Sequence, residues 1–182
     1  MWPNLSADFN RALDASSYGK RWRAKLHVLT SEPGFHAVTA YRMTRWLYRR
    51  RIPLIGAVIR RLSEIWSGIS IPPEATIGPG LLIYHFGGIM INSKAVLGRD
   101  CTLHHGVTIG NRRTGGGSPV IGDRVMVGAG AKVLGELTVG DDVEVGANAV
   151  VTSSVPDRAV VVGIPAHVVR IKETASQVTS DK

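Results

Sequence analysis

The chain has 182 residues, enough for one domain of ordinary size with a small appendage and too few for two enzyme domains. Hydrophobic residues make up 44% and charged residues 20%, which excludes wholesale disorder, and no apolar run approaches the ~18 residues that span a bilayer. The amino terminus, with Asp8 and Asp14, lacks the apolar core of a signal peptide, and one cysteine cannot form an internal disulfide, so a cytoplasmic setting is expected.

The net charge of +8 is the outlier of the composition, and its location divides the chain. Residues 1–68 hold 12 Lys/Arg against 4 Asp/Glu, residues 69–182 hold 10 against 10, and 17 of the 21 glycines follow residue 68. A basic, helical segment (1–68) is therefore expected to precede a glycine-rich domain of different physics (69–170), with a flexible tail over 171–182.

In the first segment, Thr30 or Ser31 is an expected helix N-cap and Pro33 falls in the first turn, where its missing N–H costs nothing. Apolar residues recur with helical spacing from Val38 to Tyr48, and Ile52-Pro53 ends that run before a second helix from Pro53 to about Trp66. Arg42, Arg45, Arg49, Arg50, Arg51, Arg60 and Arg61 predict a positive surface on this pair. A solvated outer face accounts for it; peripheral contact with the anionic inner face of a membrane is the sharper reading. Nucleic acid is not expected as a partner, because no reading motif accompanies the charge.

The second segment repeats every six residues. Aligned units place an aliphatic residue first each time: Ile71, Ile77, Ile83, Ile91, Leu97, Leu103, Ile109, Ile121, Val127, Val133, Val139, Val145 and Val151. A fixed period of this kind means a solenoid. The unit ending in Ile89-Met90 has two additional positions, assigned to those two residues, and residues 111–119 (within "NRRTGGGSPV") read as a loop thrown out from one coil. A glycine-rich, basic loop on a regular solenoid points to function, because the coils have no structural need of it. Cys101, fifth in its hexad, is expected to face the core.

Register then predicts that His85, His105, Ala129 and Ala147 stack in one column at ~4.8 Å per coil. Histidine is the natural general base near neutral pH, and the small residues would leave backbone amides open to an extended ligand. Solvated corner histidines are the plain alternative; the nearby loop and the small-residue column favour function. His104 is expected to face away from this column.

The period with aliphatic first positions resembles the hexapeptide-repeat family, which implies a mainly β fold: a left-handed parallel β-helix with three flat sides, here carrying an amino-terminal α-helical cap. "ATIGPGLLIYHFGGIMIN", "VTIGN", "VGAGAKVLGELTVG" and "SSVPDRAVVVGIPAHVV" resemble the serine acetyltransferase branch of the hexapeptide acyltransferases, as does "EPGFHAVTAYRMTRWLYRRRIPLIGAVIRR" before them. The resemblance implies an acetyl-CoA-dependent O-acetyltransferase without a metal, forming a homotrimer with active sites between protomers. It places the catalytic histidine on His85, the pantetheine contacts on Ala129 and Ala147, and the turn near the thioester on Gly110 and Asn111; Lys132 is a candidate for the cofactor phosphates.

Departures from that branch bear on the acceptor. The branch's aspartate fifteen residues before the histidine is Ser70 here, and the aspartate just before it is Tyr84. The Arg-His pair ahead of the loop proline is Gly117-Ser118, leaving Arg112 or Arg113 to supply a cation. The tail that docks into cysteine synthase is replaced by "SDK", so that complex is not expected. "IMINSKAV" and "HGVTIGNR" resemble the sister group acting on exopolysaccharides, typified by a colanic-acid acetyltransferase. The expectation is therefore a sugar hydroxyl as acceptor, with His85 as base and His105 as helper. L-serine is the alternative acceptor, a non-catalytic scaffold a remoter one, and a zinc site built from His85, His104 and His105 the least favoured.

Overall fold

A computed structural model describes residues 2–16 and 22–173. Four helices, α1 (Trp2–Ala15), α2 (Trp22–Ser31), α3 (Pro33–Arg49) and α4 (Pro53–Ser67), lead into a parallel β-helix of short strands. Successive strands occupy three sides in rotation. Side A carries β1 (Ile69–Ser70), β4 (Ile89–Ile91), β7 (Thr108–Gly110), β10 (Lys132–Leu134) and β13 (Val150–Val151). Side B carries β2 (Thr76–Ile77), β5 (Val96–Leu97), β8 (Val120–Ile121) and β11 (Thr138–Val139). Side C carries β3 (Leu82–Ile83), β6 (Thr102–Leu103), β9 (Met126–Val127), β12 (Glu144–Val145) and β14 (Ala159–Val162), and β15 (His167–Ile171) closes it by pairing antiparallel with β14.

Every aliphatic residue named above as first in its hexad is buried, none more than 5% exposed. In-register pairing explains this: Ile83, Leu103, Val127, Val145 and Val161 stack coil upon coil on side C, as Ile91, Ile109, Val133 and Val151 do on side A. A one-residue slip would turn each of them to solvent. Cys101 is fully buried in the same core, as expected, and burial pushes its thiol up to about 11.

The helical segment departs from expectation in three respects. Thr30 and Ser31 end α2 instead of capping the next helix; the N-cap of α3 is Glu32, with Pro33 in the first turn. The arginines do not all form a positive surface: Arg42 is buried, and Arg45 donates to the carbonyl oxygens of Pro73 (2.9 Å) and Ala75 (2.5 Å). Helices α1 and α2 extend the cap beyond the pair read from the sequence. At the other end, Ile171 still belongs to β15 and Lys172 pairs with Glu144 at 3.2 Å, so the domain runs past residue 170. The remainder of the expected tail, from residue 174, lies outside the described residues.

One buried network docks this cap. Asp8, on α1, accepts from Arg42 Nε on α3 (2.8 Å) and from the Gly80 and Leu81 amides of the β-helix (2.8 and 2.9 Å). Arg42 also donates to the Ile77 and Gly78 carbonyls (2.8 and 2.6 Å). Asp8 and Arg42 are both buried, and side chain and backbone satisfy one another there, the condition under which a buried ion pair is tolerated. Tyr41 adds a bond from its hydroxyl to the Ala75 carbonyl at 2.7 Å. Among the described residues no helix is long and apolar enough to cross a membrane.

Asp8→Ala leaves the Arg42 guanidinium buried and uncompensated. The expected cost is ~3–5 kcal/mol, read as a lower urea midpoint, whereas a midpoint shift within ~0.5 kcal/mol of zero would mean that the network does not hold the cap.

Candidate active site

The extra residues of the first coil lie in an unexpected place. Gly106 donates its N–H to the Gly87 carbonyl, Gly130 to His105, and Asn148 to Ala129. Gly87, His105, Ala129 and Ala147 are therefore equivalent positions, and Gly88 stacks on Gly106 and Gly106 on Gly130 so closely that an added Cβ would lie 3.2 and 3.3 Å from the next glycine's Cα. Ile89 and Met90, expected to be the additional pair, are instead regular members of β4, aligned with Ile69 and Ser70. The two additional residues are His85 and Phe86, a bulge at the corner between sides C and A. His85 accordingly does not share the column of His105, Ala129 and Ala147, and it adopts a left-handed φ of 69°. Such a φ is uncommon outside glycine and is held here by the ordered coil beyond it.

The bulge brings three imidazoles together. The His85 ring centroid lies 5.6 Å from that of His105, edge to face, and 6.3 Å from that of His104. Tyr84 stacks on His104 at 5.2 Å. His104, expected to face away, is thus part of the cluster; its neighbour His105 signalled nothing about it, because alternation along a strand fails at a corner. Burial first, and then the nearby His85 and His105, hold the His104 imidazole below its ordinary 6.5. It stays neutral in the folded protein over a range in which the unfolded chain takes up a proton. Among the described residues no group of three or more His, Cys, Asp or Glu is arranged to hold a metal ion.

A cavity of about 400 Å³ opens at His85. Tyr84, His85 and Phe86 form one wall, and Ser16, His27 and Glu32 of the helical cap form another. The sequence had pointed to none of the cap residues. Ser70, on the adjacent strand β1, hydrogen-bonds Glu64 of α4 at 2.8 Å.

The other expected residues sit around the same side of the solenoid. Ala129 and Ala147 follow β9 and β12 at the C-to-A corner, where Gly128 packs so closely on the next coil that an added Cβ would lie 2.7 Å from the Ala147 nitrogen. Lys132 reaches this corner too, donating to the Gly106 carbonyl at 2.6 Å. Gly110 ends β7, and Asn111, Arg112 and Arg113 begin the loop at the opposite, A-to-B corner. Asn111 braces that loop through the Arg113 carbonyl (2.7 Å), and Ser118 through Asn92 (2.9 Å). Within one chain the loop and His85 therefore occupy different corners.

Residues 118–153 match the family model described as bacterial transferase hexapeptide (six repeats). The chain is 38% identical over 171 residues to a serine acetyltransferase of Synechococcus elongatus, covering 93% of this chain and 69% of that one. Its fold matches the crystal structure of Neisseria gonorrhoeae serine acetyltransferase in complex with serine (TM-score 0.83, 32% identity, 91% of this chain and 68% of that one). It also matches that of Brucella abortus serine acetyltransferase in complex with coenzyme A (TM-score 0.87, 29% identity, 96% and 69%).

The depressed His104 has a measurable consequence. Its contribution to stability is complete above the unfolded value of 6.5 and is lost as pH falls from there toward the lower folded value. Chemical denaturation across this range should show stability falling with acidity, and His104→Gln should flatten that slope; an unchanged slope would remove His104 as its source.

Proposed function

The chain belongs to the serine acetyltransferase family of hexapeptide-repeat transferases and is an acetyl-CoA-dependent O-acetyltransferase; we propose that its acceptor is the hydroxyl of L-serine and that His85 is the general base. The observation that carries this reading is the cavity bounded by the His85 bulge on one side and the helical cap on another. Its bounds suit a small acceptor better than a polymer. The sugar hydroxyl expected from the repeat motifs draws no support from the similarities, which run to serine acetyltransferases, one of them solved with serine.

In this reading His85 takes the proton from the serine hydroxyl as its oxygen attacks the thioester carbonyl. The new C–O bond forms, the tetrahedral centre collapses with cleavage of the C–S bond, and the imidazolium returns the proton to the departing thiolate. No covalent acyl-enzyme is needed, and Cys101 is too buried to serve as one. Acetyl-CoA supplies the activated acetyl group; by the family resemblance the Gly110–Asn111 turn would face the thioester, where a backbone amide would stabilise the oxyanion. Ala129 and Ala147, neither of them buried, would let a pantetheine arm approach the main chain past their small side chains, with the Lys132 charge close by.

His85 and the loop carrying Arg112 and Arg113 lie at different corners of one chain. That separation supports a site completed by the loop of a neighbouring protomer, in a homotrimer, with the guanidinium of Arg112 or Arg113 receiving the acceptor carboxylate. His105, edge-on to His85, orients the base or the acceptor.

Thiol release from acetyl-CoA should be faster with L-serine than with any sugar or nucleotide sugar, and His85→Ala should lower kcat by ~100-fold or more. Preference for a glycan acceptor would overturn serine; full activity of His85→Ala would overturn the assignment of the base.

A further inference from the structure

We propose that Glu32 receives the ammonium group of the amino-acid acceptor and so sets acceptor specificity. This inference rests on the reading of L-serine as acceptor. The two positions that hold aspartates in the serine acetyltransferase branch are Ser70 and Tyr84 here. Among the described residues lining the cavity at His85, Glu32 is the one carboxylate, and it arrives from the junction of α2 and α3.

Its placement is built in. Gly34 packs directly on the Ile83 carbonyl, where no Cβ would fit, and this contact presses the start of α3 against the end of β3. Pro33 fixes the backbone of the intervening residue. Glu32 therefore faces the Tyr84–His85 corner because α3 can approach Ile83 so closely.

The carboxylate is also available. Glu32 occupies the N-cap position of α3 but makes no side-chain capping bond. Its partner is His27, with Nε2 3.2 Å from Oε1, and both side chains are about a third exposed (33% and 38%). At neutral pH the α-ammonium of an amino acid is charged and has three N–H donors, so its bond to a carboxylate outcompetes that of an imidazole, which is charged only when protonated. Asp8, in the neighbouring small pocket, is not available in this way, because Arg42 and two backbone amides already take its oxygens. A hydroxy acid lacking the ammonium would forgo this ion pair, leave Glu32 to His27 and bind less tightly.

Steady-state thiol release from the full chain tests this, with L-serine and 3-hydroxypropionate as acceptors and with wild type, Glu32→Gln and Glu32→Asp. Glu32→Gln keeps the size of the side chain. It should raise KM for L-serine roughly 10- to 100-fold, leave KM for acetyl-CoA unchanged, and reduce the preference for L-serine over 3-hydroxypropionate by the same factor. Glu32→Asp, which restores the charge, should recover part of that preference even if the glutamine variant is poorly folded. An unchanged KM for L-serine and unchanged preference in Glu32→Gln would overturn the role of Glu32 alone. A wild type that does not acetylate L-serine would overturn the acceptor reading and, with it, this inference.

Discussion

Each coil of the solenoid must return, after three short strands, to a height at which its amides meet the carbonyls of the coil before. That closure governs the rest of the molecule. It requires an aliphatic residue at the same point of every hexad, because the interior is a narrow column that these side chains fill together with the residue four places on, such as Cys101 and Val125, and the residues from Ile71 to Val151 that satisfy it are all buried. It also requires corners where successive backbones nearly touch, as at Gly88, Gly106 and Gly130. A coil constrained in this way has only its surface left for chemistry.

The first coil departs from that regularity by two residues, and the departure falls at His85 and Phe86. A regular corner would have put the histidine in line with His105. The bulge lifts it out at a left-handed φ, beside the rings of His104 and His105 and facing the helical cap. The cost of that backbone is offset by the ladder on either side, with Tyr84 bonded to Leu103 before the bulge and Gly88 to Gly68 after it. Strain of this type is maintained where surrounding structure over-determines it.

The cap is the second half of the same construction. Asp8 and Arg42 satisfy each other and the carbonyls and amides of the first B-to-C corner, while Gly34 lets α3 rest on Ile83. The first coil has no preceding coil to cover it, and the helices take that place. In doing so they bring Ser16, His27 and Glu32 opposite His85. The amino-terminal charge has acquired a partly structural meaning: Arg42 and Arg45 are spent on docking, and Arg60 and Arg61 lie within 3.6 Å of Glu64.

The solenoid, its core residues, the loop over 111–119 and the candidacy of His85 and His105 were legible in the sequence, because a six-residue period is a local signal repeated along the chain. The location of the two extra residues was not, since a hexad count finds an excess without saying which corner absorbs it; the ladder bonds at Gly87 and Gly88 decided that. Nor was the membership of His104 in the imidazole cluster, the burial of Arg42, or the presence of Glu32 beside His85. These depend on segments far apart in the chain meeting through unrepeated contacts, above all Gly34 on Ile83 and Asp8 on Gly80. Periodicity determines what faces inward; only the docking of helices onto the first coil decides what faces the histidine.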